Sequence, residues 1–253
     1  LRGLGIDYGF TTYGALLTED LSLCVLDAEI SLVVFSISDL GEDYEEVYAL
    51  NFDETRANIF RFLDMNDARG KPARTQVSLV AHDLNRDKLS RYREFWEEAG
   101  IDEFVHFEQS NRGGACDHGR YFVDNTRHME EAAAILSENN ISHVCGAPFG
   151  LLFVGWNGQY YLCCNDYRKL TPLGSVFDYT IQEMDVIKRE QFYLDQPAEA
   201  CRNCDIDITN CLREVLFEIE AGDSPSSKLE DVTSSLKARQ SKLPEFVIAS
   251  DSA

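Results

Sequence analysis

The stretch of sequence that indicates the fold most clearly is residues 32–38, Leu-Val-Val-Phe-Ser-Ile-Ser. It is apolar at consecutive positions, as in a strand that is buried on both faces of a parallel sheet. Three further runs have β-rich character: 6–12, 75–81 and 104–107. Helical patterns lie between these runs, over 17–28, 44–65 and 88–99. Repeated strand–helix units predict right-handed crossovers and therefore an α/β fold with a parallel sheet or barrel.

Four parallel strands are too few to close a barrel, since small barrels have about eight strands. The sequence therefore predicts either an open sheet or a barrel whose first part is absent from these 253 residues. The second alternative implies N-terminal truncation, which the initial Leu1 also suggests. Functional groups in such folds lie at the carboxyl ends of the strands.

The second half of the chain has a different pattern. A helix is expected over 125–139, and two β-rich segments, 149–156 and 159–164, flank Asn157-Gly158. Asn-Gly between two such runs predicts a β-hairpin, because both central positions of its tight turn need positive φ. Residues 216–253 are largely polar and are expected to form a loosely held C-terminal tail, with a candidate helix over 229–242.

The composition excludes several classes of partner. The chain has 23 Lys and Arg against 44 Asp and Glu, which gives a net charge of −21. Nucleic acids and anionic membranes both attract cationic surfaces, so we expect neither as a partner. No apolar run approaches the about 20 residues of a membrane span, and no secretion signal opens the sequence. We therefore expect a cytoplasmic protein.

Six of the eight cysteines fall between 145 and 211. A disulfide framework is typical of short secreted chains, whereas clustered cysteines in a cytoplasmic protein more often bind metal or perform redox chemistry. Cys24 and Cys116 lie apart from the cluster and are expected to be core residues. No pair of histidines has metal-ligand spacing, so each His is expected to be structural.

The predicted hairpin gives the cysteine spacing a physical meaning. Its second strand returns toward the start of the first, which brings Cys163 near Cys145. Cys201 and Cys204 form a C-x2-C knuckle that supplies two more thiolates from one loop. Cys164 should point away from Cys163, because side chains alternate along a strand. Four thiolates suit a structural zinc ion and a [4Fe-4S] cluster equally, and the spacing does not separate the two.

These residues resemble radical S-adenosylmethionine (radical SAM) enzymes that carry a C-terminal SPASM domain or the shorter twitch domain. The C-x12-G-x4-C spacing from Cys145 to Cys163, followed by the C-x2-C knuckle, matches that domain. Further positions that match it are Pro148, 158–162, 165–166 and 173–174. Thr12-Tyr13-Gly14 resembles the Thr-Asn-Gly turn after the family's third strand, with Tyr13 in place of Asn. Residues 34–38 resemble the family's fourth strand. Residues 44–49 resemble a segment that ends in Arg-Gly in the family and in Tyr48-Ala49 here.

One motif of the family has no counterpart here. Its C-x3-C-x2-C loop, which holds the cluster that cleaves S-adenosylmethionine, is absent from the sequence. The resemblance therefore implies that the chain is the C-terminal portion of a radical SAM enzyme and is inactive by itself. Its expected first half is the last four strands of a partial (β/α) radical SAM barrel, over 1–115, and a connecting segment with a helix, over 116–144. Its expected second half is a small α+β SPASM or twitch domain, over 145–215, and the polar tail, over 216–253.

The resemblance also implies cofactors and partners. Cys145, Cys163, Cys201 and Cys204 would bind one auxiliary [4Fe-4S] cluster, with Cys211 and Cys164 as substitute ligands. Ser36, Ser38 and Asn111, at strand ends, are candidates for contact with S-adenosylmethionine; the catalytic residues are unknown. In the family a 5′-deoxyadenosyl radical abstracts a hydrogen atom from a peptide or small-molecule substrate, with flavodoxin or ferredoxin as electron donor. The alternative is a non-catalytic zinc- or cluster-binding interaction module.

Overall fold

The computed structural model describes residues 4–82, 85–108, 110–116, 126–141, 145, 148, 151–192, 198–202, 204, 206–222 and 224–240. The chain divides into two compact units, residues 1–109 and 110–253. Each unit has hydrophobic core residues of its own.

The first unit contains a four-stranded parallel sheet. Its strands are β1 (Gly9–Thr12), β2 (Leu32–Ser36), β3 (Arg74–Ala81) and β4 (Glu103–Glu108), hydrogen-bonded in the order β1-β2-β3-β4. All three neighbouring pairs are parallel, with Phe35 opposite Val77 and Val77 opposite Phe104. The helices are α1 (Glu19–Asp27), α2 (Glu42–Tyr48), α3 (Phe52–Ala68) and α4 (Leu89–Glu98). The predicted α/β fold with the last strands of a partial barrel is confirmed.

The core of this unit lies where the strand residues meet the helices. Alternate residues of β2 and β3 are buried, among them Phe35 and Val77, which are fully inaccessible to solvent. Phe35 packs edge to face on Phe62 of α3, with ring centroids 5.9 Å apart. Burying each such side chain contributes about 1.5–3 kcal/mol, which fixes the helices against the sheet.

The single helix expected over 44–65 is wrong, because the structure has two helices there. Helix α2 ends where Ala49 adopts a left-handed conformation at φ 53°. Helix α3 begins after Asn51, whose side chain accepts a hydrogen bond from the Glu54 N–H at 2.9 Å. Glu45 accepts another from the Phe52 N–H. These bonds satisfy the free N–H groups of a helix start, so the break costs little.

The second unit contains a small antiparallel sheet and five helices in its described part. The strands are β5 (Phe153–Val154), β6 (Gln159–Tyr161) and β7 (Pro172–Ser175), in that order. The helices are α5 (Thr126–Glu138), α6 (Ile181–Phe192), α7 (Glu199–Arg202), α8 (Ile208–Ala221) and α9 (Ser227–Gln240). The predicted hairpin forms between β5 and β6.

The turn of this hairpin differs in detail from the expectation. Gly158 has φ 76°, whereas Asn157 has no positive φ. The Gly158 N–H donates to the Gly155 carbonyl, and the Gly155 N–H donates to Gln159. This is a longer loop in which one left-handed glycine follows an ordinary turn, and it needs positive φ at only one position.

The expected C-terminal tail is not loosely held in its described part. Leu236 of α9 is 2% exposed and belongs to a core cluster with Leu212 and Leu216 of α8 and Leu136 of α5. Leu229 and Val232 pack against the same cluster, so apolar residues recur at one face of α9 in an otherwise polar segment. Residues 241–253 lie outside the described residues.

No helix in the described part of the chain has the length and apolar character needed to cross a membrane.

Candidate metal centre

Two neighbouring cysteines at the end of the hairpin face opposite ways. Cys163 follows β6 and is 7% exposed, whereas Cys164 is exposed. The backbone N–H groups of Asn165 and Asp166 hydrogen-bond to the Cys163 thiol. Such N–H···S bonds favour a thiolate, although burial is larger in effect and raises the pKa of Cys163 above 9.0. The burial pattern supports Cys163 over Cys164 as a ligand.

The carboxylate of Asp166 holds the loop after Cys163 in shape. Asp166 is 2% exposed, and its two oxygens accept the N–H groups of Leu170 and Thr171, each at 2.8 Å. A buried carboxylate with two backbone donors is well satisfied. It therefore fixes the turn from which the Asn165 and Asp166 N–H groups reach the sulfur.

The C-x2-C knuckle lies between helices α7 and α8. Cys201 is half-buried in α7, and Cys204, which is 8% exposed, donates its N–H to the Cys201 carbonyl at 3.2 Å. Asn210 of α8 is 7% exposed and directs its side-chain N–H group at three carbonyls of the knuckle. Its distances are 2.9 Å to Cys204, 3.3 Å to Arg202 and 3.4 Å to Cys201. Asn210 thereby ties the knuckle to the first turn of α8.

The four candidate cysteines interact electrostatically at Cys201. Burial, as the largest cause, raises the pKa of the Cys201 thiol, and the charges of Cys163, Asp207, Cys145 and Cys204 act in the same direction. Together they raise the pKa from 9.0 to about 12. Three separate segments of the chain therefore bring their sulfurs near one point. Ionising several thiols there is unfavourable unless a cation compensates the charge.

The donor set fits an iron–sulfur cluster or a metal ion in its chemistry. Half-buried Cys145 completes a group of four thiols, the number that both kinds of centre use. Within the described ranges, no three His, Cys, Asp or Glu side chains are yet close enough to hold one metal ion. The fit therefore rests on the kind and number of these donors.

Gly113 lies close to two of the segments that carry cysteines, the one after Cys163 and the one before Cys201. It has φ 66°, and a Cβ atom there would lie 2.6 Å from the Asn165 carbonyl oxygen and 3.1 Å from that of Ala200. Asn165 follows Cys163 closely, and Ala200 precedes Cys201. Only glycine tolerates both this conformation and this approach. The tight turn that contains Gly113 therefore allows the two segments to come together.

Of the three candidates for S-adenosylmethionine contact, two already have side-chain partners. The Ser38 hydroxyl accepts hydrogen bonds from the Tyr48 hydroxyl at 3.1 Å and from the Val80 N–H at 3.5 Å. Asn111 is 3% exposed, and its side-chain oxygen accepts the Gly114 N–H. Ser36, half-buried at the end of β2, has a hydroxyl without a partner among the described residues. Their role as ligand contacts stays a prediction.

The carboxyl edge of the parallel sheet carries further polar residues beside these three candidates. Asp39, 2% exposed, lies 3.5 Å from the His82 ring, and Asn85, 0% exposed, donates to the Ser38 and Val80 carbonyls. Asp39 and His82 belong to the polar strand ends that the sequence shows, whereas Asn85 was not predicted. A polar residue shortly after β3 is the signal that could have included it. They form a satisfied network that holds the loops after β2 and β3 together.

The two departures from the family motifs contact each other. The ring of Tyr13 packs edge to face on that of Tyr48, with centroids 5.2 Å apart, and the Tyr48 hydroxyl bonds to Ser38. Ala49 occupies a left-handed position that favours glycine, which the family has there. The two tyrosines therefore form one aromatic contact beside the Ser38 candidate.

The remaining cysteines differ from the expectation in part. Cys24 and Cys116 are exposed and not core residues. Cys24 lies on α1, whose buried positions are Ser22 and Leu26, so the thiol is not on the buried face of this helix. Cys211, half-buried in the first turn of α8, lies one residue from Asn210.

Comparison with known proteins agrees with these observations. Residues 145–205 match the model of SPASM, described as an iron–sulfur cluster-binding domain. This range contains all four candidate cysteines. No curated protein matches the chain.

Three solved structures of one enzyme are similar to the chain in fold. Native anSMEcpe with bound AdoMet, an anaerobic sulfatase-maturating enzyme, has a TM-score of 0.53 at 11% identity, over 91% of this chain and 76% of that chain. The structure of the same enzyme with AdoMet and the Kp18Cys peptide has a TM-score of 0.52 at 12% identity, over 91% of this chain and 76% of that chain. The structure with AdoMet and the Cp18Cys peptide has a TM-score of 0.52 at 14% identity, over 91% of this chain and 77% of that chain. The resemblance to radical SAM enzymes with a SPASM domain is confirmed.

Proposed function

We propose that this chain, with the fold of a radical SAM/SPASM enzyme, binds one auxiliary [4Fe-4S] cluster through Cys145, Cys163, Cys201 and Cys204. The observation that carries the proposal is the electrostatic convergence of the other three cysteines on Cys201. The match of 145–205 to a cluster-binding domain supports the same assignment.

The number of cysteines favours one cluster over two. After Cys204 the sequence offers Cys211 and no further cysteine, so the chain has too few thiols near the knuckle for a second set of four. Cys211 is half-buried on α8, the helix that follows the knuckle, and is the substitute that we propose if one of the four ligands is lost. Cys164 faces solvent and is the weaker substitute.

Each group around the cysteines has a distinct task in this proposal. The N–H groups of Asn165 and Asp166 stabilise the Cys163 thiolate, and Asn210 fixes the backbone of the knuckle through its carbonyls. Gly113 allows the two segments to approach. When bound, the auxiliary cluster supplies an electron acceptor or an anchor for substrate.

The proposal extends to the reaction class at a coarser level. The chain would act within a radical SAM oxidoreductase or maturase of the cytoplasm, on a peptide or small molecule, with flavodoxin or ferredoxin as electron donor. Ser36 is the best-placed contact for S-adenosylmethionine, because its hydroxyl is unpaired among the described residues. The C-x3-C-x2-C motif is absent from the sequence, so the proposal assigns cluster binding, not cleavage of S-adenosylmethionine, to these residues.

Metal analysis after anaerobic purification and reconstitution tests the proposal. We expect about four iron and four sulfide per chain, with broad visible absorption, as four thiolates around one cluster require. Stoichiometric zinc in a colourless protein would instead establish the non-catalytic zinc module. Iron near eight per chain would contradict a single cluster.

A further inference from the structure

Lys188 is a buried cation of the second unit whose charge interacts with that of Cys163. It lies on helix α6 and is 3% exposed, although lysine is almost never fully buried unless it is paired. Met184, one turn earlier on the same face, is fully buried and packs with Tyr160 and Leu173 of the small sheet. Lys188 is therefore on the face of α6 that packs on the sheet leading into Cys163.

Within the part of the chain that the structure describes, the ammonium of Lys188 donates one hydrogen bond. Its ammonium donates to the Leu151 carbonyl, which is the one acceptor that the described residues provide. An ammonium has three N–H donors. The charges that act on it are those of Asp185, one turn away on α6, and of Cys163. Burial lowers the pKa of Lys188, and both of these negative groups oppose that effect.

We propose that Lys188 is a charge-compensating residue of the cluster site, which raises the reduction potential of the auxiliary cluster. This inference rests on the proposed function. Four thiolates around the oxidised core leave a net charge of about −2, and one-electron reduction makes it about −3. A fixed positive charge nearby attracts the reduced form more strongly than the oxidised form. The ammonium therefore favours reduction.

The alternative role of Lys188 is to anchor the loop at Leu151 to α6. That role depends on a hydrogen-bond donor and on packing, and it does not change the potential of a fully assembled cluster. Two substitutions of Lys188 distinguish the two roles: one by a neutral side chain of similar length and one by another cationic side chain. Lys188→Met removes the charge and keeps most of the volume, whereas Lys188→Arg keeps the charge.

The test compares the full chain, reconstituted anaerobically, as wild type, K188M and K188R. The control K237M removes a charge from Lys237, which is exposed on α9 of the same unit. Iron and sulfide content are measured first, and the reduction potential is then followed by the loss of visible absorption and the appearance of the reduced cluster's paramagnetic signal.

For K188M with full iron content we expect the equilibrium constant for reduction to fall about tenfold, which is about 59 mV for one electron. K188R and K237M should remain close to wild type. If K188M loses iron and K188R retains it, the positive charge is needed already for assembly, which also supports the proposal. An unchanged potential in K188M, or equal loss of iron in K188M and K188R, would overturn it. A wild-type chain without iron would contradict the proposed function itself.

Discussion

The side-chain amide of Asn210 donates to the carbonyl oxygen of Cys204 at 2.9 Å, and both residues are buried. The same amide reaches the carbonyls of Arg202 and Cys201. Three carbonyls of the C-x2-C knuckle thus turn toward helix α8, which fixes the backbone of the loop that carries the two cysteines. Asn210 is the outer partner that orients these ligands.

Replacing Asn210 should weaken cluster retention. We expect N210A to release iron to a chelator about tenfold faster than wild type, since removing an outer partner of a metal ligand costs about 10–100-fold in affinity. Asn139 supplies the control, because its side chain also donates to a main-chain carbonyl, that of Ile135, at 2.8 Å. N139A should retain iron normally. Equal release rates in N210A and wild type would contradict the role of Asn210.

The adjacent pair Cys163 and Cys164 offers a matched test of ligand identity. Cys163 is buried beside two N–H donors, whereas Cys164 faces solvent. We expect C163A to lose most of its iron and C164A to bind as much iron as wild type. The measurement is iron per chain after identical reconstitution. A normal iron content in C163A combined with loss in C164A would reverse the assignment.

The parallel sheet could be predicted from the sequence because the run 32–38 is largely apolar, although in the structure only alternate residues of β2 are fully buried. The run of residues 32–38 has no other simple interpretation, and β2 is found there. The hairpin was predictable from Asn157-Gly158, but its loop type was not, because Gly158 alone supplies the positive φ. The break between α2 and α3 was missed because both helices continue one apolar pattern, and Asn51 as a helix cap was the local signal against it.

The neighbours of the cysteines could not be predicted in the same way. Spacing indicates which thiols can converge, and burial then distinguishes Cys163 from Cys164. Lys188 reaches the carbonyl of Leu151, 37 positions away, and Gly113 contacts the segment at Asn165. Contacts between such distant residues depend on the packing of helices and loops, for which a single sequence carries no periodic signal.

Gly113 provides a test of the approach between the two cysteine segments. We expect G113A to lower both the iron content and the thermal stability, because the new Cβ would be 2.6 Å from the Asn165 carbonyl oxygen. G222A is the control: Gly222 also has positive φ, at 80°, but nothing lies within 4 Å of its added Cβ. G222A therefore reports the conformational strain alone. Equal effects of the two substitutions on iron content would show that the close approach is not needed for binding.

The Thr75–Asp102 contact predicts a pH dependence of stability in the first unit. One oxygen of Asp102 accepts the Thr75 N–H and the Thr75 hydroxyl, each at 2.8 Å, which joins the starts of β3 and β4. Burial alone would raise the pKa of Asp102, but these two bonds and the ammonium of Lys71 outweigh it. The pKa therefore lies below the ordinary value of 3.8.

A carboxyl with a lowered pKa stabilises the fold above its ordinary pKa, and this contribution is lost as the pH falls through the lowered value. We expect D102N to reduce the free energy of unfolding by about 1–3 kcal/mol at pH 7, as for hydrogen bonds to a charged group. The difference should shrink below about pH 4, where the wild-type carboxyl becomes protonated. Urea unfolding at a series of pH values measures it. D67N is the control, because Asp67 is 61% exposed and pairs with Lys71 at 3.3 Å. Such surface ion pairs contribute about 1 kcal/mol or less to the free energy of unfolding. A D102N difference that stays constant from pH 7 to pH 3 would show that the charge of Asp102 does not stabilise the sheet.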